Sequence, residues 1–198
     1  MAPDLLGCIL TSVAGGQPTA GRIVETEAYL GSHDPGSHAA TKGVTARNAV
    51  MYGPAGHTYV YFTYGNHHML NVVCEPEGIA GAVLIRALEP IFGLETMAAR
   101  RGGRPVGQLA DGPGKLAAAL GLTLADNGIA LGEGALQVYA GQRRVGESVG
   151  TSGRIGLRDG ADLPYRYYLV DDPFVSKART GALPPTRRTT ARPRKEQP

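Results

Sequence analysis

The chain alternates between short apolar runs and turn-forming residues, a pattern that predicts a sheet-based fold. Residues 5–13 and 22–30 read as two strands separated by the Ala14-Gly15-Gly16-Gln17-Pro18 turn, the first equally compatible with the end of a helix. Residues 58–64 and 70–74 are β-type runs joined by Gly65-Asn66-His67-His68-Met69, which predicts a hairpin. A further strand is predicted over 82–88 and strand-like chain over 129–170. Residues 91–101 follow Pro90 and end on Arg100, Arg101 and Gly102, the signature of a helix terminus. A second helix over 115–120 is opened by Asp111-Gly112-Pro113-Gly114 and closed by Gly121. Between 31 and 57, Gly31, Pro35, Gly36, Gly43, Gly53, Pro54 and Gly56 break regular structure, as in a functional loop carried on a sheet.

Two stretches carry the wrong residues for simple packing. Strand alternation over 24–30 puts Glu25, Glu27 and Tyr29 on one face and Val24, Thr26, Ala28 and Leu30 on the other. Two carboxylates two residues apart stand about 6–7 Å from each other, close enough to influence one another's ionisation. A solvated strand face and a chemical site both fit that pattern. Likewise, Tyr59 and Tyr61 share a face while Tyr64 falls on the other beside the turn, where a large aromatic serves either packing or as a wedge into a base stack.

Composition narrows the class. A chain of 198 residues with 42% hydrophobic and 19% charged residues supports one sizeable core, and 29 Gly with 14 Pro favour many short elements over a helical bundle. Cys8 and Cys74 lie in apolar runs without a spacing partner, which predicts buried free thiols in a reducing compartment. With no leader-like N-terminus and no run approaching the ~20 apolar residues of a membrane helix, a soluble intracellular protein, cytoplasmic in a bacterium, is expected. Net charge is +3, but seven cations from Lys177 to Lys195 against Glu196 make the end of the chain about +6 and leave the body near −3. Polyanion binding by the body therefore depends on local patches. One domain is expected over 1–176, followed by a disordered Arg/Pro-rich tail over 177–198. The five histidines match no established metal-ligand spacing, so no metal is expected. Asp111 through Lys115 fits either an ordinary capped helix or an anion seat formed by free N–H groups and a cation.

In order and spacing, Val24-Glu-Thr-Glu-Ala-Tyr29, His38, Arg47-Asn48, Tyr59-Val-Tyr61, Tyr64-Gly65, Asn71, Arg86-Ala-Leu-Glu-Pro90, Gly112-Pro-Gly-Lys115 and Arg154-Ile-Gly156 resemble the alkyladenine (3-methyladenine) DNA glycosylase family. The likeness runs from about residue 5 to 176 and closes on Tyr167-Tyr168 and Pro173-Phe174-Val175-Ser176. It implies an α+β fold: one mixed domain with a curved, largely antiparallel sheet or partly open barrel, surrounding helices and a protruding β-hairpin. It also implies an enzyme that flips alkylated or deaminated purines (3-methyladenine, hypoxanthine, ethenoadenine) out of double-stranded DNA and hydrolyses the N-glycosidic bond. Water is the nucleophile, so no lyase step, organic cofactor or catalytic metal is expected, and the protein would act as a monomer.

By the same resemblance Glu27 is the general base and Arg86 holds it ionised beside the attacking water, with the Ile155 carbonyl as a further ligand to that water. Tyr29, His38 and Tyr61 enclose the flipped base, and Asn71 lies beside the purine 2-position. Tyr64 fills the gap left in the duplex; Met51 and Lys115 contact DNA, Lys115 at phosphate. Family members usually carry further helical residues before the position of Leu5, so apolar surface near Leu5 and Ile9 is expected to be exposed. Two other readings stay open on the residues: a non-catalytic binder of distorted DNA, and a hydrolase of small glycosides built on Glu25 and Glu27.

Overall fold

The spine of the molecule is β2 (Thr19–Tyr29), whose first half is hydrogen-bonded to β1 (Ile9–Ser12) and whose second half, on that same edge, is bonded to β8 (Arg166–Leu169). Its other edge carries β5 (Ala82–Phe92) along nearly the whole length. The computed structural model describes residues 1–63 and 65–177, apart from the side chains of Thr41 and Lys42. Within them one open antiparallel sheet of eight strands runs in the order β3-β4-β5-β2-β1-β6, where β3 is Thr58–Thr63, β4 is His67–Val73 and β6 is Leu136–Tyr139. The branch off β2 is completed by β7 (Val149–Ser152), paired with β8.

Helices are few: α1 (His38–Lys42), α2 (Leu94–Arg100) and α3 (Pro113–Leu120). Leu116 and Leu120 of α3 and Met97 of α2 join Leu10, Ile23, Leu70, Ile85, Leu88 and Leu169 from the sheet in one apolar core. The start of α3 abuts the β3–β4 hairpin so closely that a Cβ at Gly114 would stand 2.8 Å from Cγ of His67. The result is a single α+β domain, the architecture expected from the chain, with the sheet open and β3–β4 at its edge.

Several boundaries differ from expectation. β5 continues through Pro90 to Phe92, because Pro90 faces Gly21 where the register slips and a missing N–H is tolerated. The helix consequently begins at Leu94, after Gly93 at φ 72°. Asp111 is not a cap: Gly112 holds that position, and the Asp111 carboxylate takes Nζ of Lys115 at 3.0 Å. Strand β4 starts at His67, so the hairpin connection is shorter than the 65–69 stretch. Cys8 and Cys74 are free thiols but half-buried rather than buried. Leu5 and Ile9 are also half-buried, and Leu6 beside them is buried in the core. Among the described residues no helix is long and apolar enough to cross a membrane. Tyr64 and residues 178–198 lie outside the described part of the chain.

Candidate active site

Glu25 and Glu27 are both completely buried, so the hydrophilic face of β2 is not a solvated one. Burial follows from pairing: over Glu25–Glu27 the strand has β5 on one edge and β8 on the other. The register slips twice at this point. Ile23 pairs with Leu88 but Glu25 with Ala87, which leaves Val24 as an extra residue; Thr26 then pairs with Ile85, which leaves Arg86 as an extra residue on β5. Such bulges re-aim side chains. Here the Arg86 guanidinium reaches both carboxylates, Nε at 2.8 Å from Oε1 of Glu25 and Nη1 at 3.2 Å from Oε1 of Glu27.

Glu25 is saturated with donors. Besides Arg86, Arg166 donates from Nε at 2.6 Å, and Ser176 donates from its backbone N at 2.7 Å and its hydroxyl at 2.9 Å. Burial pushes this carboxyl up, but the Arg86 and Arg166 charges outweigh it and hold the group below the ordinary carboxylate range. Two guanidiniums against two carboxylates make the cluster formally neutral, as a buried ionic group must be.

Glu27 is held more openly. Its Oε1 accepts from the Ile155 N–H at 2.8 Å and is ion-paired with Arg86, and its Oε2 accepts from the Tyr29 hydroxyl at 2.9 Å. An ionised carboxylate has roughly four acceptor positions, and the partners among the described residues leave one on Oε2. Burial first, and the neighbouring Glu27 next, push the Tyr29 phenol well above its ordinary value, so it stays a neutral donor.

These three partners of Glu27, namely Tyr29, Arg86 and Ile155, line a cavity of about 440 Å³. Glu27 itself lies directly behind that wall. His38 and Tyr61 face the cavity too, and both also line a smaller recess of about 50 Å³ shared with Tyr59 and Asn71. The aromatic wall is tightly assembled: the His38 ring meets Tyr61 edge-on at 4.7 Å, Tyr59 and Tyr61 lie 5.2 Å apart, and His38 Nδ1 is 3.0 Å from the Tyr59 hydroxyl. Burial and the Arg47 charge keep the His38 imidazole below its usual value and therefore neutral at pH 7. Asn71 donates to the Tyr59 carbonyl at 3.0 Å across the β3–β4 pair. Asn48 fixes the loop that delivers His38, donating to the carbonyls of His38 and Gly43 at 3.0 and 2.9 Å.

The chain thus brings together Glu27, Arg86, Tyr29, His38, Tyr61, Asn71 and Ile155, the last through its N–H to Glu27. Met51, expected to contact DNA, is instead 2% exposed and packed with Ala39, Tyr59 and Val73 at the base of the recess, because the turn carrying it folds beneath β3 and β4. Lys115 is surface-accessible but already paired with Asp111. The sequence pattern alone gave no sign that Asp34, Arg166 and Ser176 brace the site from distant parts of the chain. Among the described residues no three His, Cys, Asp or Glu side chains converge as a metal site requires.

The sequence pattern of methylpurine-DNA glycosylases matches residues 1–173. The chain belongs to the methylpurine-DNA glycosylase family. A protein of Prosthecochloris aestuarii is 47% identical over 95% of this chain and 89% of its own length, and one of Chlorobaculum tepidum is 46% identical over 95% and 90%. A protein of Methanoculleus marisnigri is 49% identical over 89% of this chain and 92% of its own. All three have 3-methyladenine DNA glycosylase in their names. As a member of this glycosylase family the chain is an enzyme that acts on DNA, and the cavity beside Glu27 is its candidate active site.

Proposed function

We propose that this protein excises damaged purines, of the 3-methyladenine, hypoxanthine and ethenoadenine class, from double-stranded DNA by base flipping and water-driven hydrolysis of the N-glycosidic bond. The observation that carries this reading is Glu27: a buried carboxylate held by Tyr29, Ile155 and Arg86, three residues that line an aromatic cavity, with one acceptor position on Oε2 left open by the described residues. A water donating to that position would be deprotonated as it attacks C1′, and the carboxylate would also stabilise the cationic character that develops on the sugar. Arg86, shared with Glu25, would hold the Glu27 carboxylate in position.

A flipped purine would stack among Tyr29, His38 and Tyr61, whose π faces suit an electron-poor base. Asn71 in the recess would oppose the exocyclic amine of guanine. Tyr64 would occupy the gap in the duplex, offsetting part of an unstacking cost of a few kcal/mol. Water as nucleophile leaves no imine to a lysine and hence no strand cleavage, and a single copy would suffice. Lys115 would give up Asp111 for a phosphate. Met51 would act indirectly, as the floor under Tyr59.

The test is a panel of duplexes, each with one damaged purine, incubated with protein and then with alkali. Release of a free base with a break only after alkali is expected; no release from any of them would refute the proposal.

A further inference from the structure

Arg154 is a buried cation near the cavity that the proposed chemistry does not use. Its side chain is fully buried, and it does not line the cavity. Its guanidinium carbon sits over the Tyr29 ring, 4.7 Å from the centroid, and over that of Tyr165, at 5.3 Å. It forms a two-point ion pair with Asp34, 2.5 and 2.6 Å, and donates to the carbonyls of Ala28 at 3.0 Å and Gly160 at 3.1 Å. Its Nε finds no partner among the described residues. Gly36 and Gly160 make room for it, since a Cβ at either would stand 2.6 or 3.0 Å from Nη2.

A structural clasp needs the hydrogen bonds and the ion pair but not the stacking on an active-site tyrosine. Tyr29 lines the cavity, whereas the guanidinium stacked on its ring does not. A cation held there draws on the same negative quadrupole that would attract a positively charged base from the cavity side. Asp34 moderates this because its carboxylate neutralises the pair at longer range, although the cation is the member in contact with the ring.

We propose that the Arg154–Asp34 pair, acting through Tyr29, sets the preference between cationic alkylated purines and neutral damaged purines. The inference rests on the base-excision reading above. Arg154 is a positioning and tuning residue and touches no substrate.

The experiment measures, with the same preparation of full-length protein, the single-turnover release of 3-methyladenine from methylated DNA and of hypoxanthine from an inosine-containing duplex. Their ratio is independent of the fraction of active protein. Replacing both partners, R154M with D34N, removes the cation without leaving a buried carboxylate unpaired, and the ratio of cationic to neutral release is expected to rise by about two- to five-fold. D34N alone leaves the guanidinium uncompensated, and the ratio is expected to fall. An unchanged ratio in a variant that retains excision, or movement in the opposite sense, overturns the proposal; loss of both activities in every variant reduces the pair to a clasp and overturns it as well. If the unaltered protein releases neither base, the excision reading itself fails.

Discussion

Glu25 and Arg86 meet at a paired irregularity between β2 and β5, where each strand contributes one extra residue and the guanidinium Nε closes to 2.8 Å on the buried carboxylate. Arg86 also faces Glu27, so its removal takes a paired cation from two buried carboxylates at once. Arg86→Met is expected to lower the free energy of unfolding by about 3–5 kcal/mol, read from urea denaturation, and to abolish excision. A change below about 1 kcal/mol would mean that Arg166 and Ser176 suffice to hold Glu25.

His38 predicts a pH dependence of stability. Folding lowers the imidazole's affinity for a proton, through burial and then Arg47, so protonation favours the unfolded chain. The contribution is complete above the ordinary value near 6.5 and declines as pH falls from there through the lower folded value. Glu25 and Asp34 act in a separate window: arginine partners hold both below their ordinary values of 4.5 and 3.8, so their stabilisation disappears only in stronger acid. Melting temperatures between pH 7 and 5 should fall, and His38→Phe should flatten that slope.

Tyr64→Ala should slow excision from duplex about ten- to hundred-fold while sparing single-stranded substrate, as expected if insertion offsets an unstacking cost of a few kcal/mol. Equal losses on both substrates would argue for a role in folding.

Residues 178–198 hold six of the cations near the end of the chain. Truncation after Lys177 should weaken duplex binding and flatten its salt dependence by about 0.9 in log–log slope for each phosphate that the tail no longer neutralises. An unchanged slope would remove the tail from DNA binding.

The fold was legible where local pattern decides it. Alternation in 58–63 placed Tyr59 and Tyr61 together, and Gly121 marked the end of α3. Pro90 misled because a proline looks like a helix start unless its strand partner, Gly21, is known. In the site, Glu27, Tyr29 and Arg86 were legible through a family motif, whereas the burial of Glu25 was not. It depends on two strand neighbours, β5 and β8, far along the chain, and on bulges that no two-residue period contains. Asp34 and Arg154 are 120 residues apart, and only the folded chain shows that an aspartate among loop residues is the partner of a buried cation. Ser176 ends a recognisable segment, yet its two bonds to Glu25 leave no local signal.

The most direct test of the account is Glu27→Gln, which keeps the shape and the Tyr29 and Ile155 neighbours of the side chain but removes its basicity. Single-turnover release of hypoxanthine from an inosine-containing duplex should fall about 10²–10⁴-fold while affinity for the same duplex is retained. Release at the unaltered rate by a folded, DNA-binding Glu27→Gln protein would contradict the assignment of Glu27 as the base that activates water.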